Sequence, residues 1–178
     1  MKKDALKSII VLTSICLVIA VAMAITNYIT YPIIREQQEK AEKEALFIVL
    51  PDAEDFNKIE LSNIPQTVSA VYADIGGTGY AIILSAKGYD SSKPMSVVVG
   101  ISIEGKITKC HVISCNGETS GIGTKVSESK FLDLFSDKDV NLNGVDTISG
   151  ATISSSAFIE ATKDAFIVYD MIKGGEGK

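Results

Sequence analysis

Residues 146–156 read Asp-Thr-Ile-Ser-Gly-Ala-Thr-Ile-Ser-Ser-Ser, and the rest of the chain is organised around this stretch. A polar loop rich in Asn and Gly gives way here to a long helical pattern that begins with small and hydroxylated residues. A helix N-terminus offers unpaired N–H groups and the positive end of the helix dipole, so it suits a phosphate. Gly150 and Ala151 would let a ligand approach the backbone closely. The stretch therefore indicates a phosphate site at which Thr152 supplies a hydroxyl.

The same residues fit a second, plainer interpretation. Ser149 could be an ordinary N-cap that accepts a hydrogen bond from the first helical turn. The serines that follow Thr152 would then be a solvated first turn with no ligand. Residue types alone leave both interpretations open.

The motif Ser-Gly-Ala-Thr-Ile-Ser-Ser, preceded by Asp146, resembles the flavin-attachment motif of the FMN-binding domain family. That family includes the G subunit of the Rnf electron-transport complex, which the short chain resembles more, and the C subunit of the sodium-translocating NADH:quinone reductase. In the family, the threonine of the motif carries FMN through a phosphoester bond, and that residue is Thr152 here. The resemblance implies that further residues of the motif bind the cofactor, namely Ser149, Gly150, Ala151 and Ser154.

A second polar loop, Asn116-Gly117-Glu118-Thr119-Ser120-Gly121-Ile122-Gly123-Thr124-Lys125, lies upstream. By itself it indicates an ordinary connection, and it lacks the spacing of a P-loop. It is similar to the family's second signature, which lies beside the isoalloxazine ring. The resemblance implies that Glu118 and Thr119 hydrogen-bond the flavin and that Ile122 contacts the ring. Lys125 could offset the phosphate charge or be a surface lysine. Gly88-Tyr89 also resembles the family's central segment.

Composition limits the function further. The chain has 178 residues, a net charge of -5, one His and three Cys. The acidic balance makes a nucleic-acid partner unexpected. The spacing of His and Cys predicts no zinc, haem or iron–sulfur ligation, so a redox role would need an organic cofactor. On one continuous strand, Cys110 and Cys115 would lie roughly 16 Å apart, too far for a disulfide.

The segment from Ser8 to Ile34 contains no charged residue and is long enough to cross a bilayer. Lys2, Lys3 and Lys7 outnumber Asp4 before it, which predicts a cytoplasmic N-terminus. A cleaved signal peptide is the alternative, but the apolar character continues past the small residues of its potential cleavage site. We therefore expect a cytoplasmic tail (1–7), a transmembrane helix (8–34), a solvated stalk helix (35–50) and an extracytoplasmic domain (51–178).

The domain itself is predicted to be α+β, a mostly antiparallel sheet packed with helices. Four strands are expected, at 68–72, 80–84, 95–103 and 107–114, with a tight turn at Glu104-Gly105. A short helix is expected at 126–135, with Phe131, Leu134 and Phe135 on one side. The last helix, about 151–172, should pack on the sheet through an apolar face at spacings of three and four, made of Phe158, Ala161, Ala165, Val168 and Ile172.

Together these features predict a membrane-anchored electron-transfer subunit with covalent FMN, and the resemblance extends this to an ion-translocating ferredoxin:NAD oxidoreductase complex. Such a chain would be a redox subunit rather than an enzyme on its own, with no catalytic residue and no metal ligand. Its partners would be other membrane subunits and a flavin transferase that attaches FMN. Asn116 and Ser120 depart from the family's usual His and Pro. These departures keep open a membrane-tethered binding or scaffold domain without flavin. A stand-alone flavoprotein on the outer surface, with the same site residues, is a further alternative.

Overall fold

A computed structural model describes the backbone of residues 2–175 and the side chains of residues 7–174. The predicted charge balance at Lys2, Lys3 and Asp4 therefore lies outside the described side chains. The chain divides into two compact units, residues 1–41 and 42–178. The first helix, α1, spans Lys2–Val49 and belongs to both units.

In the first unit, α1 contains the uncharged segment from Ser8 to Ile34, and its large apolar side chains are exposed. Among the described residues this is the one helix whose length and composition would allow it to cross a membrane. Apolar side chains that face outward in this way are compatible with the hydrocarbon of a bilayer, whereas in water they would form a large exposed apolar surface.

The second unit is built on a five-stranded sheet in which neighbours along the chain are neighbours in space. All strand pairs are antiparallel. The strands are β1 (Phe56–Ile59), β2 (Val68–Asp74), β3 (Gly79–Ala86), β4 (Met95–Ser102) and β5 (Ile107–Ser114). The four predicted strands and the antiparallel α+β class are confirmed, and β1 is an additional edge strand.

The Glu104-Gly105 turn joins β4 to β5, as predicted. The Gly105 N–H donates to the carbonyl of Ser102 at 2.9 Å, and Gly105 has a φ of 80°. This left-handed conformation is one that glycine adopts without strain.

One face of the sheet is covered by α3, which spans Thr152–Gly175. All five residues of its predicted apolar face are buried, so that prediction is confirmed. They pack in one core with the inward side chains of the sheet, among them Ile82, Leu84, Val97 and Val99.

The other face is covered by the end of α1. Ala45, Leu46, Val49 and Leu50 are buried in a second apolar cluster with Ala81, Ile83 and Val98 of the sheet. The prediction of a solvated stalk up to residue 50 is therefore wrong for its last turns. Pro51 lies just beyond the helix, in agreement with the predicted end.

The predicted helix at 126–135 is instead three short pieces. They are a 3₁₀ turn (Gly123–Ser127), the helix α2 (Ser129–Leu132) and a second 3₁₀ turn (Asp133–Phe135). Phe131 and Phe135 are buried against Phe158 of α3, with ring centroids 5.4 and 5.1 Å from its ring. Leu134 is 40% exposed, so it does not lie on one side with the buried Phe131 and Phe135, as was predicted. Because the helix is interrupted, its side chains do not follow the periodicity of one continuous helix, on which the prediction rests.

Candidate functional site

The first turn of α3 is fixed by Ser155 and not by Ser149. The helix begins at Thr152, three residues after Ser149, whose side chain is exposed. The Ser155 hydroxyl accepts a hydrogen bond from the N–H of Ile148 at 3.0 Å and donates to the carbonyl of Ala151 at 2.8 Å. Ser154 and Ser155 are both buried. The interpretation of these serines as a solvated first turn capped by Ser149 is therefore wrong.

The chain turns sharply just before this helix. Gly150 has a φ of 81°, and a Cβ built there would meet no atom within 4 Å. The position therefore requires glycine for its backbone conformation rather than for lack of space. The N–H of Ala151 donates to the carbonyl of Ile148 at 2.9 Å, which closes the turn.

Three backbone donors are free at the start of α3. The first bond of the helix runs from the N–H of Ser155 to the carbonyl of Ala151 at 3.0 Å. Within the described part of the chain, the N–H groups of Thr152, Ile153 and Ser154 meet no acceptor. Such donors, with the helix dipole behind them, attract an anionic group.

The backbone segment that carries these donors lines a cleft of about 460 Å³. Three of its lining side chains are large, apolar and unusually exposed: Tyr89 (68%), Ile122 (48%) and Ile153 (60%). The exposed Thr152 stands among them. The other lining residues are Thr119, Gly123, Gly150, Ala151 and Ser154. A cleft of this size, mainly apolar with a few polar groups at one place, is typical of a small-molecule site.

The loop after β5 presents two of these residues. The carbonyl of Thr119 accepts hydrogen bonds from the N–H groups of Ile122 and Thr124, at 3.1 and 3.3 Å. Gly121, at the tip, has a φ of 73°, and its N–H donates to the hydroxyl of Thr124 at 2.9 Å. The loop is thus a compact turn even though Ser120 replaces proline, and it holds Thr119 and Ile122 at the cleft.

Glu118 lies behind the cleft rather than in its lining. Its side chain is only 8% exposed. One carboxylate oxygen accepts a hydrogen bond from the Ser154 hydroxyl, and the other accepts one from the N–H of Tyr89 at 3.0 Å. Glu118 therefore joins the loop, the Tyr89 segment and the first turn of α3.

Lys125 lines a different hollow, of about 380 Å³, together with Asp146 and Ile148. Two further residues predicted for the site, Glu118 and Ser149, are also outside the lining of the cleft. Six predicted residues are brought together in it: Thr119, Ile122, Gly150, Ala151, Thr152 and Ser154.

Sequence reasoning missed Tyr89, Gly123 and Ile153 as lining residues. The available signal for Tyr89 was its place in the segment Gly88-Tyr89, which resembles the family's central segment. For Ile153 the signal was an apolar residue off the apolar face of α3. Neither signal shows by itself that the side chain faces a cleft.

Comparison with known proteins agrees with this geometry. Residues 88–166 match the model of the FMN-binding domain, and residues 1–49 match the RnfG N-terminal region. The first match begins beside Tyr89 and ends within α3, so it contains every residue that lines the cleft. Residues 88–166 are therefore a domain of the FMN-binding domain family.

Within that family its relatives are G subunits of ion-translocating complexes. It is 26% identical to the G subunit of the proton-translocating ferredoxin:NAD⁺ oxidoreductase complex of Clostridium ljungdahlii, over 93% of this chain and 91% of that one. It is 27% identical to the G subunit of the ion-translocating oxidoreductase complex of Methanosarcina acetivorans, over 98% of each chain. It is 28% identical to the G subunit of the Na⁺-translocating ferredoxin:NAD⁺ oxidoreductase complex of Acetobacterium woodii, over 90% of this chain and 89% of that one.

The residues of the cleft fit FMN. The free N–H groups and the Thr152 hydroxyl suit a phosphate, and the exposed apolar side chains suit a flat aromatic ring. The chain is therefore an FMN-binding membrane protein of the electron-transfer class, with one helix able to span the membrane.

Proposed function

We propose that this chain is the electron-transfer subunit of an ion-translocating ferredoxin:NAD oxidoreductase complex and that it carries FMN covalently on Thr152. One observation carries the proposal. Thr152 presents an exposed hydroxyl on the first turn of a 24-residue helix, inside a cleft whose apolar side chains are otherwise uncovered. A hydroxyl at this place can be esterified without disturbing the core.

Different residues of the cleft would bind different parts of FMN. Thr152 would supply the ester oxygen, and the N–H groups of the first turn would bind the remaining phosphate oxygens. Tyr89, Ile122 and Ile153 would cover the ring, and the Thr119 hydroxyl would hydrogen-bond its polar edge. The flavin supplies the electron chemistry when it is bound. The protein binds and orients it, so no acid–base pair or nucleophilic triad is needed.

Attachment requires a second protein. A threonine hydroxyl is a weak nucleophile at neutral pH, and no general base contacts Thr152 among the described residues. By analogy with the family, a metal-dependent flavin transferase would use FAD as the donor. In that reaction the Thr152 oxygen would bond to the phosphorus of the FMN half, the phosphoanhydride bond would break with AMP as the leaving group, and the hydroxyl proton would be lost to water.

The partners follow from the membrane segment and from the relatives. The segment 8–34 has no ionisable side chain except Cys16, Tyr28 and Tyr31, so it offers no ion path of its own. Ion transport would belong to neighbouring membrane subunits, against which this helix would pack. The lysines before the segment favour a cytoplasmic N-terminus and a flavin domain (51–178) on the extracytoplasmic side. A membrane-impermeant thiol reagent should then label the exposed Ser91→Cys variant in intact cells.

The central test is flavin fluorescence of the chain on a denaturing gel after co-expression with a flavin transferase. We expect a fluorescent band for the wild type and none for Thr152→Val, which keeps the shape and removes only the hydroxyl. Thr147→Val is the matched control, because this exposed threonine lies outside the cleft, in the loop that precedes α3. A dark wild-type band, or flavin retained by Thr152→Val, would disprove attachment at Thr152.

A further inference from the structure

Separate segments of the flavin domain meet at the carboxylate of Glu118. The Ser154 hydroxyl donates to one oxygen from the first turn of α3. The N–H of Tyr89 donates to the other at 3.0 Å, from the segment before β4. Glu118 itself begins the loop that carries Thr119 and Ile122. A buried carboxylate in such a position is stabilised only while its donors stay in place.

Glycines enclose this carboxylate on two sides. A Cβ at Gly123 would lie 2.7 Å from Oε2 of Glu118 and 2.8 Å from the Ser154 hydroxyl. A Cβ at Gly88 would approach the other oxygen even more closely. Both positions therefore have to be glycine for the carboxylate to fit. The space between these glycines is matched to the side chains of Glu118 and Ser154.

We propose that Glu118 is a positioning residue, which holds the first turn of α3 and the Tyr89 segment at a fixed separation and so sets the width of the flavin cleft. The inference rests on the proposed function of the cleft. Glu118 acts through the side chain of Ser154, which lies with Thr152 in the first turn of α3. It also acts through the backbone N–H of Tyr89, whose ring lines one side of the cleft. It does not act by direct contact with the flavin, since its carboxylate lies outside the lining.

This role makes a prediction that direct contact does not make. Ser154→Ala and Glu118→Gln weaken the same contact from its two ends, so they should have the same effect, and the double variant should add little. If Glu118 instead touched the flavin, Glu118→Gln would also remove a flavin contact, and its effect would exceed that of Ser154→Ala.

The experiment uses the full-length chain in detergent, co-expressed with a flavin transferase. Two quantities are measured, the initial rate of covalent attachment and the visible circular dichroism of the attached flavin, which reports how rigidly the ring is held. We expect each single variant to lower the attachment rate by about tenfold and the dichroism by about half, since correct geometry governs both. The double variant should match the single ones.

Thr162→Val is the control for a merely structural effect. Thr162 is a buried hydroxyl of the same helix, and it donates to the carbonyl of Phe158 at 2.9 Å, away from the cleft. Its loss should lower stability while leaving the flavin dichroism unchanged. If Glu118→Gln fails to fold, Ser154→Ala and Gly123→Ala still test the contact, because the added methyl of the latter would push Glu118 and Ser154 apart.

The outcomes separate this inference from the proposed function. Wild-type rate and dichroism in Ser154→Ala, or additive effects in the double variant, would overturn the positioning role while attachment at Thr152 stands. A wild-type chain without covalent flavin would overturn both.

Discussion

The hydroxyl of Ser155 accepts a hydrogen bond of 3.0 Å from the N–H of Ile148, seven residues earlier in the chain. This bond ties the loop that precedes α3 to a buried residue of its first turn. The loop carries Ser149 and Gly150, and it delivers the chain to Thr152. Ser155 therefore fixes the start of α3 as an N-cap residue would, although Ser155 lies inside the helix.

Ser155→Ala should loosen this approach. We expect the free energy of unfolding to fall by about 1–2 kcal/mol, because the half-buried N–H of Ile148 loses its acceptor. Attachment of flavin should also slow, since the turn at Gly150 is no longer held. Urea unfolding of the full chain in detergent and the fluorescent band measure the two effects. Ser156→Ala, one residue on and without a hydrogen-bond partner in the described part of the chain, should change neither.

Gly150→Ala should lower stability through the backbone alone. The site has space for a methyl group, but a φ of 81° is strained for alanine, by about 1–2 kcal/mol. The same reasoning applies to Gly121→Ala in the opposite loop, which makes it a useful comparison. If both variants were as stable as the wild type, the left-handed conformation of these glycines would be refuted. The quantity to measure is the midpoint of urea unfolding.

Asp74 should make stability depend on pH in the acid range. Burial by itself would raise the pKa of this carboxyl, but hydrogen bonds from the N–H and hydroxyl of Thr78 and the N–H groups of Gly76 and Glu54 lower the pKa to about 2. Since the folded pKa lies below the unfolded one, the stabilisation is complete above about pH 4 and is lost as the pH falls through 2.

Asp74→Asn should therefore lower the free energy of unfolding at pH 7 by about 1–3 kcal/mol, as expected for the loss of charge-assisted hydrogen bonds. The difference from the wild type should shrink on acidification and approach zero near pH 2. Comparing the two chains cancels the titration of the other carboxyls. A difference that stays constant from pH 7 to pH 2 would contradict the assigned role of this carboxylate.

Cys110 should be unreactive in the folded chain. Both Cys110 and Cys115 are free, as the strand geometry predicts, and burial raises the pKa of the Cys110 thiol far above its usual range. Because the thiolate is the reactive form, alkylation at pH 8 should be about a hundredfold slower at Cys110 than at the half-buried Cys115. Mass spectrometry of labelled peptides measures both rates. Equal labelling in the folded chain would show that the core opens there.

Periodicity was enough to predict the main elements. The spacing of three and four from Phe158 to Ile172 identifies the buried face of α3, and apolar runs between turns identify β2 to β5. β1 escapes this reasoning because it has four residues, of which Asn57 and Lys58 are exposed. The charged residues that precede the end of α1 favour a solvated helix. The apolar residues at that end indicate burial, but they do not identify the sheet as the surface that covers them.

The site was harder to predict because its parts are distant in sequence. The motif identifies Thr152, but serine is mostly found exposed, so the burial of Ser154 could not be read from its type. Nor could a glutamate in a polar loop be recognised as a buried acceptor. Its donors are 29 and 36 residues away, and only the folded sheet brings them together.

Gly100 allows the end of α1 to touch the sheet. A Cβ there would lie 2.6 Å from the carbonyl oxygen of Val49 and would also clash with Thr108, whose hydroxyl donates to that carbonyl. Val49 and Thr108 are 59 residues apart. During synthesis the last turns of α1 are therefore made long before the surface that covers them. Leu46 and Leu50 must wait uncovered until β3 and β4 have left the ribosome. The hydrogen bond from Thr108 of β5 to Val49 comes later still, because the longer loop is entropically slower to close.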